Sequence, residues 1–179
     1  MKNRNISFSK TVSAFYDNIA RSRKKWIKKS SAFHKEDRLN LNEFILPNSK
    51  VLELGCGTGN LLKSINPRYG VGVDISKEII KEAKKENKEI NFIHGDISRL
   101  TSILSNEHKF DYIILSDTIG YLEDIQSTLE SLHEYCKKET RIIISYYSPM
   151  WSPIFSLATM FKFKMPEVKT QLLNLNDIK

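Results

Sequence analysis

A glycine-rich loop follows the first strongly apolar stretch of the chain. Residues 51–60 read VLELGCGTGN and place Gly55, Gly57 and Gly59 at alternate positions. Glycines in a tight turn between a strand and a helix carry no Cβ, so a ligand can rest directly on the backbone. The loop has neither the G-x-G-x-x-G spacing of a dinucleotide site nor the Gly-Lys-Ser/Thr end of a nucleoside triphosphatase. The predicted ligand therefore need not carry a polyphosphate.

Acidic residues stand at or beside the ends of neighbouring strand patterns. Apolar runs end near Asp74, Asp96 and Asp117, and Asp74 follows Glu53 by 21 residues. A carboxylate at that distance can accept two hydrogen bonds from the 2′,3′-diol of a ribose. The alternative is that Asp74 and Asp96 only cap the helices that begin after them. With the glycine loop beside them, we favour a nucleoside site.

These residues need a sheet that brings them together. Strand patterns at KVLELG, YGVGVD, INFIHG, FDYIILS and RIIISYY alternate with helical patterns at residues 60–65, 77–88, 99–104 and 124–137. Strands that are apolar almost throughout indicate a sheet covered by helices on both faces. The alternation predicts a parallel, doubly wound α/β sheet, in which ligands bind at the carboxyl ends of the strands.

Composition favours a single domain of this kind. The chain has 179 residues, 40% of them hydrophobic, and no proline- or glycine-rich linker. No run approaches the roughly 20 apolar residues of a membrane span and no signal-peptide core is present, so we expect a cytoplasmic protein. Cys56 and Cys136, the latter in a predicted helix, have no metal or disulfide spacing and are interpreted as reduced thiols.

The positive charge lies before the glycine loop. The net charge is +7, and residues 21–29, RSRKKWIKK, hold most of the excess. Such a segment can bind nucleic acid or an anionic membrane. We favour a solvated helix face that buries Trp26 and Ile27. We assign residues 1–40 to an N-terminal helical extension and residues 41–179 to the ligand-binding domain.

Taken together, these features resemble the class I S-adenosylmethionine-dependent methyltransferases. Their E/D-x-G-x-G-x-G loop is matched by Glu53, Gly55, Gly57 and Gly59, and the resemblance covers about residues 40–150. Upstream, FYDNIA at residues 15–20 resembles the Tyr-Asp-x-x-Ala signature of small-molecule members. The resemblance implies S-adenosylmethionine as cofactor, methyl transfer as the activity, and a Rossmann-like sheet in the strand order 3-2-1-4-5.

The resemblance also implies a role for each matched position. Asp74 would take the ribose hydroxyls, Asp96 the adenine amino group, and Tyr16 would cover the cofactor. Ile75 and Ile97 would contact the adenine ring, and the loop with Glu53 would lie against the methionine portion. The implied cofactor-binding residues are Tyr16, Glu53, Gly55, Cys56, Gly57, Gly59, Asp74, Ile75, Asp96, Ile97 and Ser116.

The acceptor side is less defined. Asp117 follows the fourth strand pattern, and Tyr146 and Tyr147 end the fifth, so these three are the catalytic candidates. The Asn/Asp-Pro-Pro-Tyr/Phe motif of amino-methylating enzymes is missing, which favours a small-molecule acceptor over a nucleobase. The segments SDTIGYLED and ISYYSPMWSP resemble methyltransferases associated with glycosyltransferases, which implies a glycan or lipid-linked acceptor. An RNA-binding methyltransferase and a cofactor-binding module without turnover remain the alternatives.

Two expectations concern the end of the chain. Residues 150–166, MWSPIFSLATMFKFKMP, are unusually apolar, and we favour core packing for them over an acceptor-pocket wall or a membrane contact. Class I methyltransferases, which this chain resembles, have seven strands. Here only 32 residues follow Tyr147, and they hold no strand pattern. We therefore expect a truncated chain without the closing hairpin. Its fifth strand would form a sheet edge open to self-association.

Overall fold

The computed structural model of the chain describes residues 7–29, 41–163 and 165–168. Five strands form one sheet: β1 (Lys50–Leu54), β2 (Tyr69–Asp74), β3 (Asn91–His94), β4 (Phe110–Ser116) and β5 (Cys136–Ser145). The order across the sheet is β3-β2-β1-β4-β5, and every pair is parallel. The predicted doubly wound, Rossmann-like sheet is confirmed.

Helices connect and cover the strands. They are α1 (Phe8–Lys29), α2 (Asn60–Ile65), α3 (Lys77–Glu86), α4 (Leu100–Ile103), α5 (Ile125–Ser131) and α6 (Ser152–Met160). Helix α1 lies within the proposed N-terminal extension, whereas residues 1–6 and 30–40 fall outside the described ranges. Among the helices of the described residues, none combines the length and the apolar character needed to cross a membrane.

The core has two layers, one on each face of the sheet. Leu52 and Leu54 of β1 point into one layer and Val51 points into the other, because successive side chains of a strand alternate between faces. The three side chains are fully buried. The apolar strand patterns thus reflect burial on both faces, as expected for a parallel sheet.

The helix after the fourth strand is shorter than predicted, and the placement of Cys136 in it is wrong. Helix α5 ends at Ser131, a 3-10 turn covers Leu132–Tyr135, and Cys136 begins β5 opposite Phe110. Leu132 and Tyr135 are one helical turn apart in sequence and both are fully buried, so their apolar spacing resembled that of a helix. Pairing with β4 joins residues far apart in sequence, so local periodicity could not reveal it.

The last strand also ends earlier than predicted. It stops at Ser145, whose carbonyl oxygen accepts a hydrogen bond from the Asp117 N–H at 2.9 Å. Tyr146 and Tyr147 therefore follow the strand and do not end it. Strand β5 lies at an edge of the described sheet. Residues 169–179 fall outside the described ranges, so the absence of a closing hairpin and the self-association stay predictions.

The apolar segment after β5 does not pack into the core as a whole. Phe155 and Ala158 of α6 are partly buried, but Met150 and Met160 are exposed by 86% and 67%. The favoured prediction of core packing is therefore wrong for most of this segment. Its inward side lines the cavity described below.

Replacement of Gly59 by alanine tests the constraint on the loop. Gly59 has φ +77°, and a Cβ there would lie 2.3 Å from Cζ of the buried Phe92 ring. A left-handed backbone plus overpacking should lower the free energy of unfolding by roughly 2–4 kcal/mol. Chemical denaturation measures this loss.

Gly95→Ala is the matched control. Its φ is outside the left-handed range, and its Cβ would meet Cδ1 of Ile103, the end of a flexible side chain. We expect a loss at Gly95 of less than about half that at Gly59. Equal losses for the two variants would contradict the backbone explanation.

Candidate functional site

The glycine loop turns back onto the end of β2. The N–H groups of Gly55 and Cys56 both donate to the Val73 carbonyl oxygen, at 2.8 and 3.0 Å. A Cβ at Gly55 would lie 2.1 Å from Oγ1 of Thr118, in the segment after β4. The loop is therefore enclosed between β2 and the residues that follow β4, and a side chain at position 55 has no space.

A cavity of about 480 Å³ opens at the carboxyl ends of the strands. Its walls come from α1, the glycine loop, the segments after β2, β3 and β4, and α6. Of the residues predicted from the sequence, those lining it are Tyr16, Glu53, Gly55, Cys56, Asp74, Ile75, Asp96, Ile97, Ser116, Asp117 and Tyr147. The sheet therefore brings most of the predicted site residues to one place.

Three predicted residues do not line this cavity. Gly57 and Gly59 belong to the loop but contribute no wall, and Tyr146 packs against the hydrophobic layer that contains Leu52. Gly57 still takes part through its backbone N–H, which donates to Asp74. Tyr146 is the one predicted catalytic residue that the fold turns toward the core.

Asp74 joins the glycine loop to α3. One carboxylate oxygen accepts from the Gly57 N–H and the other from the Ser76 N–H, both at 2.9 Å. Burial raises the pKa of Asp74 above its ordinary range, and these two N–H groups together with Arg23 oppose the rise. Ser76, not Asp74, is the side chain that caps α3, through Ile79 N–H. Each Asp74 oxygen keeps a lone pair for a further donor.

Asp96 fits the capping alternative as well as the cavity. Its Oδ1 accepts from the N–H and the hydroxyl of Ser98, at 3.0 and 2.8 Å. It is the N-cap of the 3-10 helix Ile97–Arg99 and is partly exposed. Its other carboxylate oxygen has no protein donor among the described hydrogen bonds, so capping and ligand binding are compatible at this position.

Glu53 is the most unusual group in the site. Its side chain is 4% exposed, and Oε2 has no hydrogen-bond partner among the described residues. Burial raises the pKa of Glu53 from 4.5 to about 8, the Leu62 N–H opposes the rise, and the charge of Asp74 adds to it. A buried carboxyl oxygen without a donor is costly, which indicates that a ligand donor or cation completes its surroundings.

Helix α1 closes the cavity through four hydrogen bonds. Asp17 accepts from the Ser76 hydroxyl at 2.6 Å and from the Glu78 N–H at 3.1 Å. The Ser13 hydroxyl donates to the Ile75 carbonyl oxygen at 3.1 Å. At the start of the helix, the Ser9 N–H donates to Glu123 at 2.8 Å. Because these partners follow β2 and β4, α1 spans the carboxyl edge of the sheet.

Sequence reasoning missed Arg23 as a site residue. It was assigned to a solvated face, yet it lines the cavity, and its guanidinium carbon lies 5.7 Å from the centre of the Tyr16 ring. Nη2 is 3.0 Å from where a Cβ on Gly57 would stand, and Nε is buried with no hydrogen-bond partner within the described part of the chain. The available signal was spacing, because Arg23 follows Tyr16 by two helical turns and shares its face.

Tyr121 is the second residue that sequence reasoning missed. The Tyr16 hydroxyl donates to the Tyr121 hydroxyl at 2.8 Å, and the rings meet edge to face. Burial raises the pKa of Tyr16 to about 12 and that of Tyr121 still further. Both phenols therefore stay protonated near neutral pH and can act as hydrogen-bond donors. Tyr121 lies in the loop after β4, and that position in the sequence was the signal that could have identified it.

Asp117 has a strained backbone at the cavity wall. Its φ is +50°, in the left-handed region that non-glycine residues rarely adopt. Hydrogen bonding of its N–H to Ser145 holds this conformation and ties β4 to β5. Strain of this kind is characteristic of functional positions.

Within the described ranges, no group of three His, Cys, Asp or Glu side chains could hold a metal ion.

Comparison with known families places this geometry in context. A family profile described as "Methyltransferase domain" matches residues 45–175. The malonyl-[acyl-carrier protein] O-methyltransferase of Priestia megaterium is 28% identical over 153 residues, which are 82% of this chain and 51% of that protein. An uncharacterised protein of Methanocaldococcus jannaschii is 27% identical and is covered to 59%. The chain thus spans between half and three fifths of these curated relatives.

Solved structures share the fold. The magnesium protoporphyrin IX methyltransferase of Synechocystis, with bound SAM, superposes with a TM-score of 0.72 at 17% identity, covering 99% of this chain and 85% of that one. A SAM-dependent methyltransferase from Thermotoga maritima, described as a possible histamine N-methyltransferase, gives 0.71 at 16% identity, with coverages of 93% and 76%. At such identities the agreement concerns the arrangement of strands and helices.

The buried carboxyl of Glu53 predicts a pH dependence of stability. Because its pKa is higher in the folded chain than the unfolded value near 4.5, the folded state retains a proton that the unfolded state loses as the pH rises. Glu53 should therefore reduce stability progressively between about pH 5 and pH 8, by at most about 1.4 kcal/mol per pH unit.

Glu53→Gln removes this titration. The free energy of unfolding of the variant should fall less than that of the parent over the same pH range, measured by denaturant titration without ligand. Glu130→Gln, on the exposed side of α5, is the control and should keep the parent's slope. If Glu53→Gln kept it too, Glu53 would be ionised in the folded chain.

Proposed function

The chain belongs to the family of methyltransferase domains, and we propose that it uses S-adenosylmethionine to methylate a small-molecule acceptor. The observation that carries the proposal is the unpartnered Oε2 of Glu53, buried beside a backbone cradle of left-handed glycines. A ligand with a cation and hydrogen-bond donors, and with no need of a phosphate site, fits these groups. The family match supports the same ligand.

The residues present fit each part of this cofactor. Glu53 would face the methionine ammonium, and the Arg23 guanidinium, with its unpartnered Nε, would face the carboxylate. Asp74 would accept from the ribose hydroxyls through its remaining lone pairs, and Asp96 from the adenine amino group. Ile75 and Ile97 would contact the adenine ring, and the Ser116 carbonyl would accept from the ammonium. Cys56 would contribute a small, buried wall.

Helix α1 would enclose the bound cofactor. Its contacts to Ser76, Ile75 and Glu123 hold Tyr16 over the cavity. A sulfonium methyl is already activated for displacement, so the protein's main contribution is alignment and exclusion of water. The role of residues 1–40 as a lid is thus part of the proposal.

The acceptor would enter between the Tyr16–Tyr121 pair and α6. Tyr121 uses an oxygen lone pair for Tyr16, so its own O–H is able to donate to an acceptor oxygen. Asp117 could take a proton if the acceptor carries one, and Tyr147 lines the same wall. Tyr146 has weaker support because it packs toward the core.

The cavity favours an acceptor with an apolar part. Ile154, Phe155 and Ala158 of α6 line it together with Phe163 and Met165. The curated relative and the solved structure named above carry names for unlike acceptors, so the acceptor of this chain is inferred from its own cavity. A glycan or lipid-linked acceptor, the association with glycosyltransferases and the cytoplasmic location stay predictions.

Cofactor binding is the first test of the proposal. Calorimetry should show that S-adenosylmethionine and S-adenosylhomocysteine bind, whereas NAD and ATP do not. Asp74→Asn should weaken binding by about tenfold or more, because a charge-assisted hydrogen bond contributes roughly 1.5–3 kcal/mol. Asp124→Asn is the control, since Asp124 caps α5 and lies outside the cavity. Unchanged affinity in Asp74→Asn would contradict the ribose assignment.

Methyl transfer is the second test. Incubation with methyl-labelled cofactor and separate pools of metabolites, lipids and RNA should label a small-molecule or lipid fraction. Tyr121→Phe should lower the labelling rate by about tenfold while the cofactor Kd stays unchanged, because the variant loses one hydrogen bond to the acceptor. Tyr69→Phe, whose ring stacks on Phe110 away from the cavity, should behave like the parent.

Two outcomes would support the alternatives. Label in the RNA pool, with an RNA affinity that falls steeply with salt, would favour an RNA-binding methyltransferase. Cofactor binding without label in any pool would favour a binding module without turnover.

A further inference from the structure

Helix α1 buries few of its side chains. Among those that the structure describes, only Val12 and Ala20 are buried. A segment that loses few apolar contacts on opening detaches at a low cost in free energy. The hydrogen bonds between α1 and the rest of the chain therefore have a large share in holding this helix over the cavity.

Asp17 of α1 completes the N-terminus of α3. The Ser76 hydroxyl oxygen accepts from the Ile79 N–H at 3.2 Å, and Asp17 Oδ1 accepts from the Glu78 N–H at 3.1 Å. These are two of the N–H groups that a helix cannot pair within itself. The cap of α3 is thus shared between its own serine and a carboxylate from α1, and the helix dipole favours the negative charge there.

Ser76 joins Asp17 to Asp74. Its hydroxyl donates to Asp17 at 2.6 Å, its N–H donates to Asp74 at 2.9 Å, and the residue is fully buried. One turn earlier in α1, the Ser13 hydroxyl donates to the Ile75 carbonyl oxygen at 3.1 Å. Since Asp74 and Ile75 line the cavity, the turn between β2 and α3 contacts α1 on one side and the ligand space on the other.

We propose that Asp17 is a positioning residue that holds α1 closed over the cavity and couples this closure to the occupancy of the turn at Asp74 and Ile75. Helix α1 also carries Tyr16 and Arg23, so its detachment opens the cavity and removes two of its walls. A ligand on the turn stabilises the segment that holds Asp17, and closure in return retains the ligand. The identity of the ligand rests on the proposed function, whereas the hold of Asp17 on α1 does not.

Hydrogen exchange of the chain without ligand tests this hold directly. Asp17→Ala should raise the exchange rates of the α1 backbone amides by about tenfold, because two hydrogen bonds to a charged group are lost. The amides of β1 and β4 should keep the parent's rates, which shows that the variant is folded.

Two further variants define the cause. Asn18→Ala is the matched control, because Asn18 is the exposed neighbour of Asp17 and both replacements raise the helix propensity alike. Its α1 amides should exchange no faster than those of the parent. In Asp17→Asn the amide oxygen can still accept both hydrogen bonds, so exchange should rise by less than about threefold.

The kinetics of S-adenosylhomocysteine binding distinguish closure from damage to the ribose site. Because the ligand enters and leaves while α1 is detached, Asp17→Ala should raise the dissociation rate constant by about tenfold and should raise the association rate constant as well. The Kd should therefore rise by less than the dissociation rate constant. Stopped-flow fluorescence measures both rate constants.

Three outcomes would overturn the proposal. The first is exchange of α1 in Asp17→Ala that equals exchange in Asn18→Ala, and the second is Asp17→Asn exchanging as fast as Asp17→Ala. The third is a higher dissociation rate constant without a higher association rate constant, which would assign Asp17 to the shape of the ribose site alone. Faster exchange in Asp17→Ala, with no S-adenosylhomocysteine binding by the parent, would support the hold of Asp17 on α1 and contradict the proposed function.

Discussion

The hydrogen bonds of Asp74 hold the site together. Its carboxylate fixes the glycine loop through Gly57 and the start of α3 through Ser76, so two segments from different strands are positioned by one buried side chain. The Val73 carbonyl, one residue earlier, receives the first two N–H groups of the same loop. Without these contacts the left-handed glycines would have no defined path, because glycine restricts the backbone less than any other residue.

The arrangement concentrates uncompensated polar groups at the carboxyl ends of the strands. Glu53 and Asp74 are both buried, and burial raises the pKa of each carboxyl. An oxygen of Glu53 and the Nε of Arg23 have no hydrogen-bond partner among the residues that the structure describes. Burying such groups costs stability, which a stable fold accepts where a ligand supplies the missing partners. The contacts of α1 to Ser76 and Glu123 hold that helix across the carboxyl edge of the sheet.

The segment from β5 to α6 differs from the site, because it holds exposed apolar groups where the site holds buried polar ones. Strand β5 lies at an edge of the described sheet, and helix α6 after it exposes most of its apolar side chains while three of them line the cavity. One short element thus serves as cavity wall and as outer surface. Local hydrophobicity alone could not separate these roles, because core residues and surface contacts have the same composition.

The sequence by itself determined the parallel, doubly wound sheet, the loop and the acidic strand ends, because buried parallel strands are apolar throughout and a glycine loop has a fixed spacing. The strand order came from the resemblance to the class I methyltransferases, and the structure confirms it. The sequence could not place Cys136, since pairing with Phe110 overrides helical periodicity. Nor could it assign Arg23 and Tyr121 to the site or turn Tyr146 toward the core. These outcomes depend on contacts between residues distant in sequence, and only the tertiary structure decides which face of a helix or strand end meets the cavity.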